Sequence, residues 1–325
     1  MKGEKVILIL MVVAMMGCHH VPEVEVRARE CAALPVGGRA SACACSMNGK
    51  GYVFGGRDEK GTYLNDLWEY DPTTDSWTAM GSVPGKGRVN AIIIAYKGCL
   101  YAGLGFAKGG AYEEETHLRD WWRWNETSHQ WDSLAPYPDN TTICPIPYVT
   151  DGRIYAIYGA SDCFTRHMTW YEVATNTWQR EEDSHYRALS AFKGVGAQVQ
   201  DRYYYGLGYN STNLSQWWRV DLEKDNWTKC KSLPSKGRTC SAGCANDAYM
   251  YVFGGRYFAG EMTGGEVFGD IWRYDPSDDE WSRGGAMPCG KAENQIAFSI
   301  GNKVYFGLGE DEEGRTINKL YCIEE

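Results

Sequence analysis

Six times along the chain the same short programme begins: an apolar run that ends in glycine, a polar loop, then a run of alternating aromatics. The clearest copy is KGYVFGGRDEKGTYLNDLWEYDPTTDSWTAM at residues 50–80, and residues 250–282 (MYVFGG, RYFAGEMTGGEVFGD, IWRYDPSDDEWS) nearly duplicate it. Diverged copies end their first run at Gly103-Leu104-Gly105, Tyr158-Gly159, Gly206-Leu207-Gly208 and Gly307-Leu308-Gly309. The last glycines of the six runs are 56, 105, 159, 208, 255 and 309, so successive units lie 49, 54, 49, 47 and 54 residues apart. A unit of this length, built from short strands and turns, cannot bury both of its faces alone and has to stack on its neighbours. The 38 glycines, 13 tryptophans and 22 tyrosines belong to the same all-β signature of tight turns and aromatic strands.

Other landmarks keep phase with the glycines. Trp77, Trp131, Trp178, Trp227 and Trp281 each close a unit. Seven residues before them stand Tyr70, Trp124, Tyr171, Val220 and Tyr274, and nine before stand Trp68, Trp122, Thr169, Trp218 and Trp272. Offsets of two put side chains on one face of a strand, where they are expected to pack between neighbouring units. The double glycine supplies positive φ and a close backbone approach, expected to be out of reach of any side chain. The Gly-Gly pair, the downstream aromatic and the terminal Trp resemble kelch repeats over about residues 25–325, most specifically in units 1 and 5. That resemblance implies an all-β, six-bladed kelch-type β-propeller with blades of four strands, a to d from the axis outwards.

Six glycine turns stand against five closing tryptophans, and the sixth unit stops at Leu320-Tyr321-Cys322, one strand short. Leu34-Pro35 repeats the context of Pro84, Pro138, Pro234 and Pro288, each seven residues after a closing Trp. Residues of about 25–33 are therefore expected to complete the last blade and close the ring, which hides the edges of an open sheet.

Residues 1–17 read as a signal peptide: Lys2 and Lys5, then an apolar run over Val6–Met16 that is too short to span a bilayer. Gly17-Cys18 resembles a bacterial lipobox, with Met15 where leucine is usual, so lipidation at Cys18 is expected and residues 18–24 read as its tether. An ordinary cleaved signal or a retained anchor are the alternatives. The expected location is the cell envelope, at the periplasmic or outer-membrane face, with membrane contact only through the lipid. Twelve cysteines suit export, but several sit inside apolar strand runs, where free thiols pack as small hydrophobes. Neither a CxxC pair nor Cys/His zinc spacing occurs. The formal net charge of −9 argues against a nucleic-acid or anionic-membrane binder.

Candidate ligand contacts come from two patterns. The loops after the Gly pairs are longest in blades 2 and 5, which stand opposite each other in a six-membered ring and carry Tyr112, Glu113, His117, Tyr257 and Glu261. Arg39, Arg88 and Arg238 lie 17 residues before a last glycine, at the start of strand a, and Arg57 and Arg256 directly follow Gly pairs. Five guanidinium forks on one face suit carboxylate, phosphate or sulfate. In kelch domains that bind acidic peptides, Arg at the strand start meets the ligand's carboxylates, which the resemblance implies here. The alternative is that each Arg ties blades together through a loop acid such as Asp58, Glu261 or Glu310. The sequence holds no nucleophile elbow, phosphate loop or metal motif, and no cofactor is expected. The reading is a monomeric binding module for an anionic glycan or an acidic peptide. An exported enzyme resembling the periplasmic kelch sialic-acid epimerases stands as the alternative.

Overall fold

The computed structural model describes residues 21–108, 116–138, 144–157, 168–181, 191–224, 226–260 and 264–324. Six four-stranded antiparallel sheets are arranged as blades. Blade 1 runs outwards through Cys43–Met47, Lys50–Phe54, Asp66–Asp71 and Ser76–Ser82. The inner strands of the others are Ile92–Tyr96, Ile146–Thr150, Val195–Val199, Ala242–Ala245 and Ile296–Ile300. Each inner strand touches the inner strands of the blades on both sides, so the six surround one axis.

The reason for the ring is legible in strand b. Alternate side chains leave opposite faces of a strand, and both faces of every blade are apolar. In blade 4, Tyr203 and Tyr205 pack against blade 3, while Tyr204 packs against blade 5. Six apolar clusters result, one at each seam. The aromatics two residues apart behave as expected: Trp68 and Tyr70 fill the seam against Phe298 and Tyr305 of blade 6.

Three seams carry the same latch. Trp77, Trp178 and Trp281 donate their indole N–H to the carbonyls of Ala32, Ala135 and Lys231, each at 2.8 Å on the preceding blade. The backbone N–H of each of those residues bonds Asp75, Asn176 or Asp279, which also accepts from the hydroxyl of Tyr70, Tyr171 or Tyr274.

The ring closes through the N-terminal strand. Arg27–Cys31 pairs antiparallel with Leu320–Glu324, from Arg27 opposite Glu324 to Cys31 opposite Leu320, as the outer strand of blade 6. Ahead of it, the backbone of residues 22–26 hydrogen-bonds along the outer strand of blade 5, from Val24 N to Arg283 O and from Arg283 N to Pro22 O. Residues 21–24, read from sequence as tether, are thus already docked on the propeller. The ten cysteines among the described residues are unbridged.

One expectation about the glycine turn fails. Gly55 has φ 66°, but Leu104, Leu207 and Leu308 hold the same position in blades 2, 4 and 6 at φ 53° to 59°. Their side chains are buried in the seams. Burying a leucine contributes roughly 1.5–3 kcal/mol, enough to offset a left-handed strain of about 1–2 kcal/mol.

Candidate functional site

Arg39, Arg88 and Arg238 do start the inner connections of blades 1, 2 and 5, but they point into the fold. Each is at most 1% exposed. Arg39 donates to both oxygens of Asp66 at 2.8 and 2.9 Å, Arg88 to both of Asp120 at 2.7 Å, and Arg238 to both of Asp270 at 2.6 and 3.1 Å. They also donate to the carbonyls of Gly55, Leu104 and Gly254. The same aspartates accept the indole N–H of Trp68, Trp122 and Trp272. Where blades 4 and 6 have Ala191 and Ala292 in place of the arginine, Gln216 and Lys319 stand in place of the aspartate. These forks bind strand starts a and c to the glycine turn through their terminal nitrogens, while the Nε atoms of Arg39 and Arg238 are buried without a hydrogen-bond partner. None of the three, expected from the sequence to face a ligand, lines the axial cavity.

Arg57 and Arg256 do stand on the rim of the loop face, both paired with blade 6. Arg57 donates to Glu310, which also accepts from the Asn294 amide at 2.7 Å. Arg256 grips Glu293 through Nε at 2.9 Å and Nη2 at 2.6 Å. Glu310 is one of the acids the blade-tying alternative anticipated. Asp58 instead accepts the backbone N–H groups of Lys60 and Thr62 within its own loop.

The described ends of the long loops of blades 2 and 5 pair as two-stranded ribbons, Phe106–Ala107 with Thr116–His117 and Arg256–Phe258 with Gly265–Val267. His117 lies opposite Phe106, and its Nδ1 is shielded from solvent without a hydrogen-bond partner. Tyr257 is 40% exposed, with the Lys236 ammonium 6.0 Å from its ring centre. Tyr112, Glu113 and Glu261, like Cys18, lie outside the described residues.

The sequence reading missed the axis itself. Fifteen residues before each last glycine stand Ser41, Asn90, Cys144, Lys193, Cys240 and Asn294, all left-handed, with φ between 49° and 59°. Their backbones form a belt: Asn90 N–H donates to Ser41, Ser41 to Asn294, Asn294 to Cys240 and Cys240 to Lys193, at 2.9 to 3.3 Å. The six line a cavity of about 140 Å³ at the axial mouth. Lys193 crosses it to bond the Asn294 side-chain oxygen of blade 6 and the Ser41 hydroxyl of blade 1. Burial pulls its pKa down, but charge coupling to Cys240, Cys144, Glu293 and Glu310 outweighs this and raises it above the ordinary lysine value. Its hydrogen bonds run to neutral oxygens, whereas all five arginines face a carboxylate. The constant offset from glycine was the signal available in the sequence, but six unlike residues do not look like a motif.

A larger open groove of about 720 Å³ lies on the opposite face, between blades 3 and 4. Its charged walls largely pair with close neighbours, Asp151 with Lys97 and Asp221 with Lys224, at exposed positions. It holds none of the candidate residues.

The model of the Kelch motif matches residues 38–84 and 237–288, blades 1 and 5. Kelch-like protein 35 of Mus musculus is 24% identical over 75% of this chain and 38% of its own length. Kelch-like protein 25 of Xenopus tropicalis is 25% identical over 83% of this chain and 45% of its own. The chain thus spans less than half the length of these relatives. The N-acetylneuraminate epimerase of Pasteurella multocida is 23% identical over 91% of this chain and 80% of its own. The solved structure of YjhT matches with a TM-score of 0.75 at 16% identity, over 90% of this chain and 96% of that one, a likeness of fold. With six blades, glycine turns and closing tryptophans in one phase, the chain is a kelch-repeat β-propeller, distantly similar to the N-acetylneuraminate epimerases.

Proposed function

We propose that the axial mouth of the loop face binds an anionic ligand, a carboxylated sugar, and that the protein acts as an exported binding module attached to the membrane through a lipid on Cys18. The observation that carries the reading is Lys193, a charged ammonium held in a half-buried mouth by neutral oxygens. Water is partly excluded there, so a carboxylate gains more from this cation than from an exposed lysine. Asn90, Asn294 and Ser41 add amide and hydroxyl groups around the same cavity, suited to sugar hydroxyls. Arg57 and Arg256, already neutralised by Glu310 and Glu293, shape the rim and keep its local charge near balance.

The test is calorimetric titration with N-acetylneuraminate, with neutral N-acetylglucosamine as control. The acid is expected to bind and the neutral sugar is not. Lys193→Met is expected to weaken binding roughly tenfold to hundredfold, the worth of a charged hydrogen bond. Equal affinity of the variant and the natural protein would remove Lys193 from the site.

A second reading, sugar epimerase, is favoured by one observation: the epimerase relative aligns along nearly the whole ring and not with two blades alone. Interconversion of anomers needs one group to take the anomeric hydroxyl proton and another to protonate the ring oxygen. Among the described residues, the Glu310 carboxylate and the Lys193 ammonium are one acid–base pair near this mouth. Exchange spectroscopy on the two anomers of N-acetylneuraminate separates the readings: binding alone leaves the exchange rate at its buffer value, and catalysis raises it in proportion to enzyme.

A further inference from the structure

Around the mouth, five of the six blades contribute two bridged rim residues among the described residues: Ala40 with Arg57, Val89 with Phe106, Phe192 with Tyr209, Thr239 with Arg256, and Glu293 with Glu310. Their chemistry divides by sector. Blades 5, 6 and 1 hold the two arginine–glutamate pairs, whereas blades 2 and 4 present Val89, Phe106, Phe192 and Tyr209. Phe106, Phe192 and Tyr209 are half-buried, and none of the six seam clusters includes them. The rings are nevertheless held in place. Tyr63 meets Phe106 edge-on at 6.2 Å, and Phe258 meets Tyr209 edge-on at 5.0 Å. The Asn213 amide fixes Phe258 by bonding both its backbone N–H and its carbonyl, at 2.9 and 2.7 Å. Lys193 stands between the sectors, its ammonium 5.6 Å from the centre of the Phe192 ring.

Apolar rings that do not serve the core and stay partly open to water are suited to stacking, and one of them, Phe192, lies against a cation. We propose that Phe192, with Phe106 and Tyr209, is a specificity-determining platform that stacks the C–H face of a cyclic ligand whose carboxylate lies on Lys193. The mouth thereby selects a ring acid over an open-chain anion of equal charge, which also sets a sugar acid above an extended acidic peptide. This rests on the reading of the mouth as an anion site.

The experiment compares glucuronate, a ring acid, with gluconate, its open-chain counterpart of the same charge, on the full-length protein. The natural protein is expected to favour glucuronate by tenfold or more. Phe192→Ala should remove that preference by weakening glucuronate alone, and Phe192→Tyr should restore it. Lys193→Met should weaken both anions alike. Phe106→Ala serves as the second platform variant should Phe192→Ala fail to fold. Equal affinity of the natural protein for the two acids, or a loss in Phe192→Ala shared by both, overturns the platform while leaving the anion site intact. Failure of the natural protein to bind glucuronate, gluconate and N-acetylneuraminate overturns the anion site and the platform with it.

Discussion

Arg238 has no exposed surface, and its removal would strand Asp270 beside the Gly254 carbonyl without a cation. Breaking a buried pair by deleting one partner costs about 3–5 kcal/mol. Urea denaturation of Arg238→Ala should therefore show a loss of that order. Lys231→Ala, which loses only an exposed pair with Glu280, should unfold at the same urea concentration as the natural protein. Equal stabilities for the two variants would contradict the staple. The staples also set a pH dependence. Burial pushes the Asp66 and Asp120 carboxyls up, but hydrogen bonds and charge from Arg39 and Arg88, with the indoles of Trp68 and Trp122, hold both below the ordinary range. A carboxyl lowered in the folded state stabilises it above the unfolded value of about 3.9 and loses that contribution as pH falls through the lower folded value. The melting temperature should hold from neutrality down to about pH 4.5 and fall below it. An Asp66→Asn, Asp120→Asn variant should start lower and fall less; an acid limb of unchanged steepness would exclude these two groups as its source. The arginine positions were legible in the sequence. Their direction was not, because their aspartate partners lie 27 to 32 residues away and become neighbours only when strands a and c share a sheet.

At the scale of elements, the strand Arg27–Cys31 is the piece on which closure depends. Without it, Leu320–Glu324 becomes an edge with unpaired N–H and C=O groups, open to association with another chain. The Ala32 carbonyl and N–H that latch Trp77 and Asp75 would also lose their support. A chain lacking residues 21–31 is expected to melt at lower temperature and to associate with rising concentration in light scattering; a monomer with unchanged melting would count against this closure. The strand was foreseeable by counting, since six glycine turns and five closing tryptophans leave one outer strand to find. The further run of residues 22–26 along blade 5 was not. A parallel edge contact between backbones leaves no side-chain periodicity to read.

For the whole molecule, the docked N-terminus bears on the anchor. Three residues from Cys18 to Val21 reach at most about 11 Å. Acylation of Cys18 would therefore hold the outer edge of blade 5 against the bilayer, with little free tether. Cys18→Ala is expected to move the protein from the membrane fraction to the soluble fraction and to abolish labelling by palmitate; unchanged fractionation and labelling would exclude the lipid. The scale of the ring also separates what the residues alone determine from what they do not. Blade number, the phase of glycine and tryptophan, and closure by the chain ends follow from local repetition, because each strand and turn is specified by neighbours within one unit. The site is different in kind. Lys193 acquires its role from Ser41 and Asn294, 152 and 101 residues distant, and the charged and aromatic sectors exist only once six unlike loops share one axis. Strand pairing is written in short periods that a sequence displays, whereas convergence across an axis depends on distances that only the closed ring defines.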